Sequence, residues 1–98
     1  MDLSLFKASL SSDAPPAGLP PLLRALWLDA RGDFDGAHGI AQDIHDADGA
    51  RVHAYLHRKE GDASNAGYWY RRAHQQPFEG SLSAEWDALV QRFLERTH

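Results

Sequence analysis

The segment ARVHAYLHRKEGDASNAGYWYRRA, residues 50–73, predicts two short helices joined by a tight turn at Gly61-Asp62. Glycine readily takes the left-handed conformation that ends a helix, and aspartate is a preferred N-cap of the helix that follows. The same segment holds two of the six histidines, all three tyrosines and one of the three tryptophans. It is therefore the most informative part of the chain for both fold and function.

An earlier segment, residues 21–44, repeats this layout in weaker form. Placing Gly32-Asp33 on Gly61-Asp62 gives a period of 29 residues. The superposition pairs further residues: Ala25 with Ala54, Trp27 with Leu56, Ala37 with Ala66, and His45 with His74. Repeats of this kind are typical of helical pairs that bury their apolar faces by stacking on their neighbours. We expect an all-α fold with two stacked helical hairpins, at residues 20–45 and 49–74.

Individual residues of the two hairpins predict a helix start and a close helix contact. Asp48 is the expected N-cap of the helix that opens the second hairpin. Gly36 and Gly39 lower the intrinsic stability of the helix that contains them, by about 0.5–1 kcal/mol each relative to alanine. We expect another helix to approach closely at these two glycines.

Flanking segments complete a single domain of 98 residues. Leu3, Phe6 and Leu10 predict a short amphipathic helix capped by Asp2, and the proline-rich remainder of residues 1–19 predicts a linker or extended arm. Residues 82–96 predict a longer capping helix, whose apolar positions are Leu82, Trp86, Leu89, Val90, Phe93 and Leu94. This helix must cover either the open end of the stack or its own copy in a symmetric homodimer.

Composition narrows the classes of function. The chain has no cysteine, which excludes disulfides and thiolate metal sites, and its net charge of −4 gives no case for binding nucleic acid or membranes. No apolar run approaches the ~20 residues of a membrane span. The first residues lack the features of a signal peptide, so we expect a cytoplasmic protein of a bacterium-like cell. Nucleophile-elbow, P-loop and Rossmann motifs are absent.

Charge is unevenly distributed along the chain. Residues 51–74 contain five basic and two acidic residues, a net charge of +3, whereas the remainder contains five basic and twelve acidic residues, a net charge of −7. The basic hairpin could hold an anionic ligand. We favour the interpretation that it docks on acidic segments of its own chain or of a second copy.

The string EGDASNAGYWYRRA, with alanines at Ala66 and Ala73, resembles the second helix of a Sel1-like repeat, a family related to tetratricopeptide repeats, and Ala54 matches the small residue of the family's first helix. Ala25 and Ala37 match the same family positions in the first hairpin. The string HAYLHRKEGD, continued by NAGYWYRRA, is also similar to short bacterial proteins without an assigned function. The resemblance implies a scaffold that binds a protein or peptide.

A different function is suggested by His53, His57 and Glu60, which lie at positions i, i+4 and i+7 of one predicted helix. Two imidazoles at this spacing can bind one Zn²⁺ or Ni²⁺ ion, and a carboxylate can be the third ligand. The alternatives are neutral core histidines, which we favour, and a pocket for an organic ligand. Glu60 opposes the helix macrodipole, so we expect it to be bound by Arg71, Arg72 or a histidine.

Four residues are candidates for an exposed partner-binding surface: Arg51, Tyr55, Arg58 and Tyr68. Aromatic rings beside guanidinium groups are common at protein interaction hot spots. The remaining histidines have no evident companions in the sequence: His38, His45, His74 and His98.

Two functional hypotheses follow. The first is a non-enzymatic scaffold that needs no cofactor and binds a protein or peptide, or self-associates. The second is a small metal- or ligand-binding protein, including a hydrolase-like enzyme, that uses His53, His57 and Glu60 with a divalent metal ion. No catalytic residue is predicted, and we favour a protein that is not an enzyme.

Overall fold

The computed structural model describes residues 1–96, which form six α-helices joined by turns and loops. The helices are α1 (Leu3–Ser9), α2 (Pro21–Ala30), α3 (Phe34–Gln42), α4 (Ala47–Lys59), α5 (Ala63–Arg72) and α6 (Leu82–Glu95). No β-strand occurs within these 96 residues, so the predicted all-α class is confirmed. The expectation for His98 falls outside the described residues.

Most helices begin with a side chain that caps the backbone. Five N-cap oxygens accept a hydrogen bond from the amide three residues later, and these caps are Asp2, Asp33, Asp46, Asp62 and Ser81. Helix α2 begins with Pro21, whose missing N–H would have no partner in a first turn. The predicted cap of the N-terminal helix at Asp2 is confirmed.

Two predictions about the connections are wrong. The second hairpin begins earlier than expected, because Asp46 rather than Asp48 caps α4 and accepts from the Gly49 amide at 2.8 Å. No other helix approaches the two glycines of α3: a Cβ at Gly39 would meet nothing within 4 Å, and one at Gly36 would meet the side chain of Asp33. The close approach occurs instead at Gly49, where a Cβ would lie 1.9 Å from the Ile44 carbonyl oxygen.

The turns inside the two hairpins have the same geometry. Gly32 and Gly61 both have a φ of +87°, in the left-handed region that favours glycine. The amide of the following aspartate donates back to the preceding helix in both cases, Asp33 to Leu28 and Asp62 to His57, each at 2.9 Å. The same turn therefore occurs at two positions that are 29 residues apart, which is the period seen in the sequence.

The core lies where α2, α4 and α6 meet. Helix α4 packs against α2, α3, α5 and α6, and α1 packs on α6. Phe6, which is fully buried, contacts the Trp86 ring at a centroid distance of 5.8 Å. The Trp86 indole N–H donates to the Leu26 carbonyl at 3.0 Å and so joins α6 to α2.

Helix α6 covers the face shared by α2 and α4, the first helices of the two hairpins. Its apolar stripe is buried within the chain, at residues Trp86, Leu89, Val90, Phe93 and Leu94. The stripe therefore gives no reason to expect pairing with a second copy. None of the described helices combines the length and apolarity needed to cross a lipid bilayer.

Two glycine substitutions test the packing at the start of α4. We expect Gly49→Ala to destabilise the protein by about 1–3 kcal/mol, because the new methyl group must displace a backbone carbonyl. Gly39→Ala, in open space within α3, should instead stabilise it by about 0.5–1 kcal/mol. Denaturant unfolding followed by far-UV circular dichroism gives both values. Equal stability of the two variants would show that Ile44 does not crowd Gly49.

Candidate metal centre

Three histidines from two helices converge into one cluster, His38 from α3 with His53 and His57 from α4. His53 and His57 are one helical turn apart, and their rings stack at a centroid distance of 4.8 Å and an angle of 13°. The His38 ring stands edge-on to both, with centroid distances of 4.6 Å to His53 and 5.5 Å to His57. We call these residues the three-histidine cluster.

The nitrogen atoms of the cluster are close to the spacing that a metal ion requires. Nε2 of His38 and Nε2 of His53 lie 3.0 Å apart, and one ligand atom from each histidine lies within 4.8 Å of the other two. Two nitrogens bound to one tetrahedral Zn²⁺ are separated by roughly 3.3 Å, given Zn–N distances of about 2.0–2.1 Å. The separation of the two Nε2 atoms is close to this value.

A carboxylate fixes the orientation of one imidazole. Nδ1 of His57 lies 2.6 Å from Oε1 of Glu60, and an ionised carboxylate can only accept, so His57 carries a proton on Nδ1. In the neutral form of this imidazole, Nε2 keeps its electron pair. The prediction that Glu60 is bound by an arginine or a histidine is confirmed, with His57 as the partner.

The predicted metal set of His53, His57 and Glu60 is not brought together as one group. Glu60 belongs with His57 and Asp62 in a second group, which shares only His57 with the three-histidine cluster. The ligand set is corrected accordingly, because the Glu60 carboxylate engages the outer nitrogen of His57 at the C-cap of α4. Glu60 contacts one candidate ligand, His57, and is not grouped with His53.

The second group is the weaker metal candidate. Asp62 is the N-cap of α5, and its carboxylate accepts from the Asn65 backbone amide at 3.2 Å and from Asn65 Nδ2 at 2.6 Å. The hydrogen bonds from Asn65 hold the pKa of Asp62 below its usual range. Both carboxylate oxygens of Asp62 thus already accept hydrogen bonds from Asn65.

Aromatic side chains enclose the three-histidine cluster. The Trp69 ring stacks on His53 at a centroid distance of 3.9 Å and an angle of 13°, and Phe34 stacks on His38 at 5.9 Å. Burial, followed by the neighbouring imidazoles of His38 and His57, lowers the pKa of His53 to about 4. His53 is therefore neutral at physiological pH, the form in which an imidazole binds a metal.

The sequence reasoning missed His38. A usable signal was present, because α3 and α4 are joined by only residues 43–46, and antiparallel helices with so short a connection place residue 38 beside residues near 53. The helical spacing of His53 and His57 within α4 drew attention to one helix alone. Trp69, expected in the core, is half-buried and contributes one wall of the site.

The four predicted partner-binding residues have different environments. The prediction that Tyr55 is exposed is wrong: it is 3% exposed and donates to Asp29 Oδ2 at 2.7 Å. Arg51 donates to Asp48 at 2.7 Å and to Gln75 at 3.0 Å, and Arg58 donates to Glu85 at 2.9 Å. Tyr68 is exposed, at 43%. The structure does not gather these four residues into one exposed surface, and partner binding stays a prediction.

Comparisons of the chain with protein-family models, with curated proteins and with solved structures gave no match. The resemblance to tetratricopeptide and Sel1-like repeats therefore also stays a prediction.

The low pKa of His53 predicts a pH dependence of stability. Its folded-state pKa of about 4 lies below the ordinary value of 6.5, so the unfolded chain takes up the proton first as the pH falls. Stability from this group is complete above pH 6.5 and is lost towards pH 4, by up to about 3 kcal/mol. We expect unfolding free energies, measured with a chelator present, to fall less steeply over this range in His53→Gln. His45→Gln, at an exposed position, is the control and should behave as the wild type.

Proposed function

We propose that the protein binds a divalent transition-metal ion, with Zn²⁺ the leading candidate, through His38, His53 and His57. The observation that supports this function is the convergence of three imidazoles from two helices, with ligand atoms within 4.8 Å of one another. The proposal keeps two residues of the set predicted from the sequence and replaces Glu60 by His38.

The donor set selects the class of metal. Three imidazole nitrogens suit Zn²⁺, Ni²⁺ or Cu²⁺, whereas Mg²⁺ and Ca²⁺ require oxygen ligands. Three protein ligands also leave a fourth position of a tetrahedral ion for water or for an added ligand, as in catalytic zinc sites. The proposal extends to metal binding and does not assign a reaction.

Two features favour binding at neutral pH. A metal competes with protons for histidine, and His53, with a pKa of about 4, is already the neutral imidazole at neutral pH. Glu60 accepts from the outer nitrogen of His57, an arrangement that orients a ligating imidazole and raises its basicity. Both members of the stacked pair are therefore suited to bind a metal, His53 because it is neutral and His57 because Glu60 orients it.

Zinc titration of metal-free protein tests the proposal. We expect one Zn²⁺ per chain by isothermal titration calorimetry, with the binding lost in His38→Ala. His38→Ala distinguishes the two candidate metal sites, because a metal bound by His57, Glu60 and Asp62 would still bind to this variant. Asp62→Ser, which retains an N-cap, should leave the affinity unchanged, as should His45→Ala outside the cluster. Absence of zinc binding by the wild type would establish the histidines as core residues and refute the proposal.

Glu60→Gln tests the orienting role of the carboxylate. We expect zinc affinity to fall by about tenfold, within the 10–100-fold range for loss of such a partner, while the stoichiometry stays at one ion per chain. Glu79→Gln, at an exposed loop position, is the matched control. Complete loss of binding in Glu60→Gln would instead make Glu60 a direct ligand, as the sequence first suggested.

A further inference from the structure

A polar cavity lies beside the three-histidine cluster, on the other side of the His53 ring. It has a volume of about 250 Å³ and is bounded by the C-terminal ends of α3 and α5 and the N-terminal end of α4. His53 and Trp69 form part of its wall, together with Arg72, His45 and His74. Cavities for drug-sized ligands span about 300–1,000 Å³, so this one suits a smaller molecule.

His53 belongs both to the cluster and to the cavity. Its Nε2 faces Nε2 of His38, and within residues 1–96 no hydrogen bond is formed by its Nδ1. No side-chain nitrogen or oxygen in that part of the chain is both fully buried and without a partner, so Nδ1 must reach accessible space. Because His53 is only 6% exposed and lines the cavity, we infer that Nδ1 opens into it.

Metal binding would make this nitrogen a donor. A metal on Nε2 places the proton of a neutral imidazole on Nδ1, and ligating histidines nearly always donate that N–H to a carboxylate, a carbonyl or water. Glu60 already performs this role for His57. For His53 the described part of the chain supplies no such acceptor, and the position is open to a ligand.

The cavity wall offers donors that suit an anion. Arg72 places its guanidinium 5.3 Å from the centre of the Trp69 ring, and one of its nitrogens donates to the Tyr68 hydroxyl at 3.0 Å. A guanidinium has five N–H groups, so further donors are available. Asp46 is the one carboxylate that lines the cavity, and its side chain accepts from the Gly49 amide as the cap of α4.

The backbone at His74 supports the same conclusion. His74 has a φ of +56°, whereas the corresponding positions after α2 and α4 are glycines with a φ of +87°. A residue with a Cβ is less stable in this conformation than glycine, by roughly 1–2 kcal/mol. The chain nevertheless has an imidazole here, and that imidazole lines the cavity.

We propose that the cavity binds a small organic carboxylate, which accepts from the His53 Nδ1–H and the Arg72 guanidinium when a metal occupies the three-histidine cluster. This inference rests on the proposed metal binding. It adds the chemical class of a second ligand. It also predicts that the two binding events are coupled: metal and carboxylate share His53, so each must strengthen the binding of the other by the same factor.

The experiment measures the binding of acetate and benzoate to metal-free and zinc-loaded protein by titration calorimetry, with benzamide as the uncharged counterpart of benzoate. We expect at least one carboxylate to bind about tenfold more tightly to the zinc-loaded protein, and benzamide to show no such gain. The affinity for zinc should rise by the same factor when that carboxylate is present.

Variants assign the effect to the cavity. Arg72→Gln and His74→Ala should weaken carboxylate binding at least fivefold and leave the affinity for zinc alone unchanged. Arg71→Gln, an exposed neighbour of Arg72 that does not line the cavity, is the matched control and should bind as the wild type. An unchanged carboxylate affinity in Arg72→Gln would refute the assigned site.

The remaining outcomes separate the two proposals. Zinc binding that is lost in His38→Ala, combined with equal carboxylate affinity in the presence and absence of zinc, refutes the carboxylate site and leaves the metal site intact. Absence of zinc binding refutes both proposals, whatever the carboxylate does, because the donor at His53 depends on the metal.

Discussion

Helix α4 is enclosed by α2, α3, α5 and α6, and the rest of the structure depends on satisfying its polar side chains. Of the eight residues from 49 to 56, all but Arg51 are buried, and they include one histidine and one tyrosine. A buried polar group without a hydrogen bond is strongly unfavourable. Helices α2, α3 and α6 each present a polar group that contacts a polar side chain of α4, and these matches constrain how the helices pack.

Two of these matches join opposite charges. Asp29 of α2, only 2% exposed, accepts from Tyr55 at 2.7 Å and from Lys59 at 2.8 Å. Glu85 of α6, also 2% exposed, accepts from Arg58 at 2.9 Å. Burial and the Asp29 carboxylate raise the pKa of Tyr55, which keeps its hydroxyl a donor. The first helix of hairpin 2 is thus held to α2 and to α6 by compensated charges, and this explains why its basic residues lie in an otherwise acidic chain.

The sequence predicted what is local and missed what depends on packing. The turns at Gly32 and Gly61 could be predicted because a glycine followed by a capping aspartate determines its own geometry. Tyr55 was placed on the surface because periodicity cannot show that Asp29, 26 residues earlier, is buried opposite its hydroxyl. His38 was missed because its meeting with His53 depends on the register between α3 and α4, which follows from their short connection and not from the periodicity of either helix.

The three-histidine cluster differs from the two charged matches because His38 and His53 contact each other and not a carboxylate. In the contact between Nε2 of His38 and Nε2 of His53, one nitrogen donates its N–H and the other accepts with its electron pair. In the neutral form of His57, Nε2 keeps another electron pair, since Nδ1–H donates to Glu60. Protonation of His53 is opposed by its burial and by the neighbouring imidazoles of His38 and His57. With the remaining proton of each imidazole on Nδ1, a divalent cation could accept one electron pair from each ring, and it would join α3 to α4 as Asp29 and Glu85 join α2 and α6 to it.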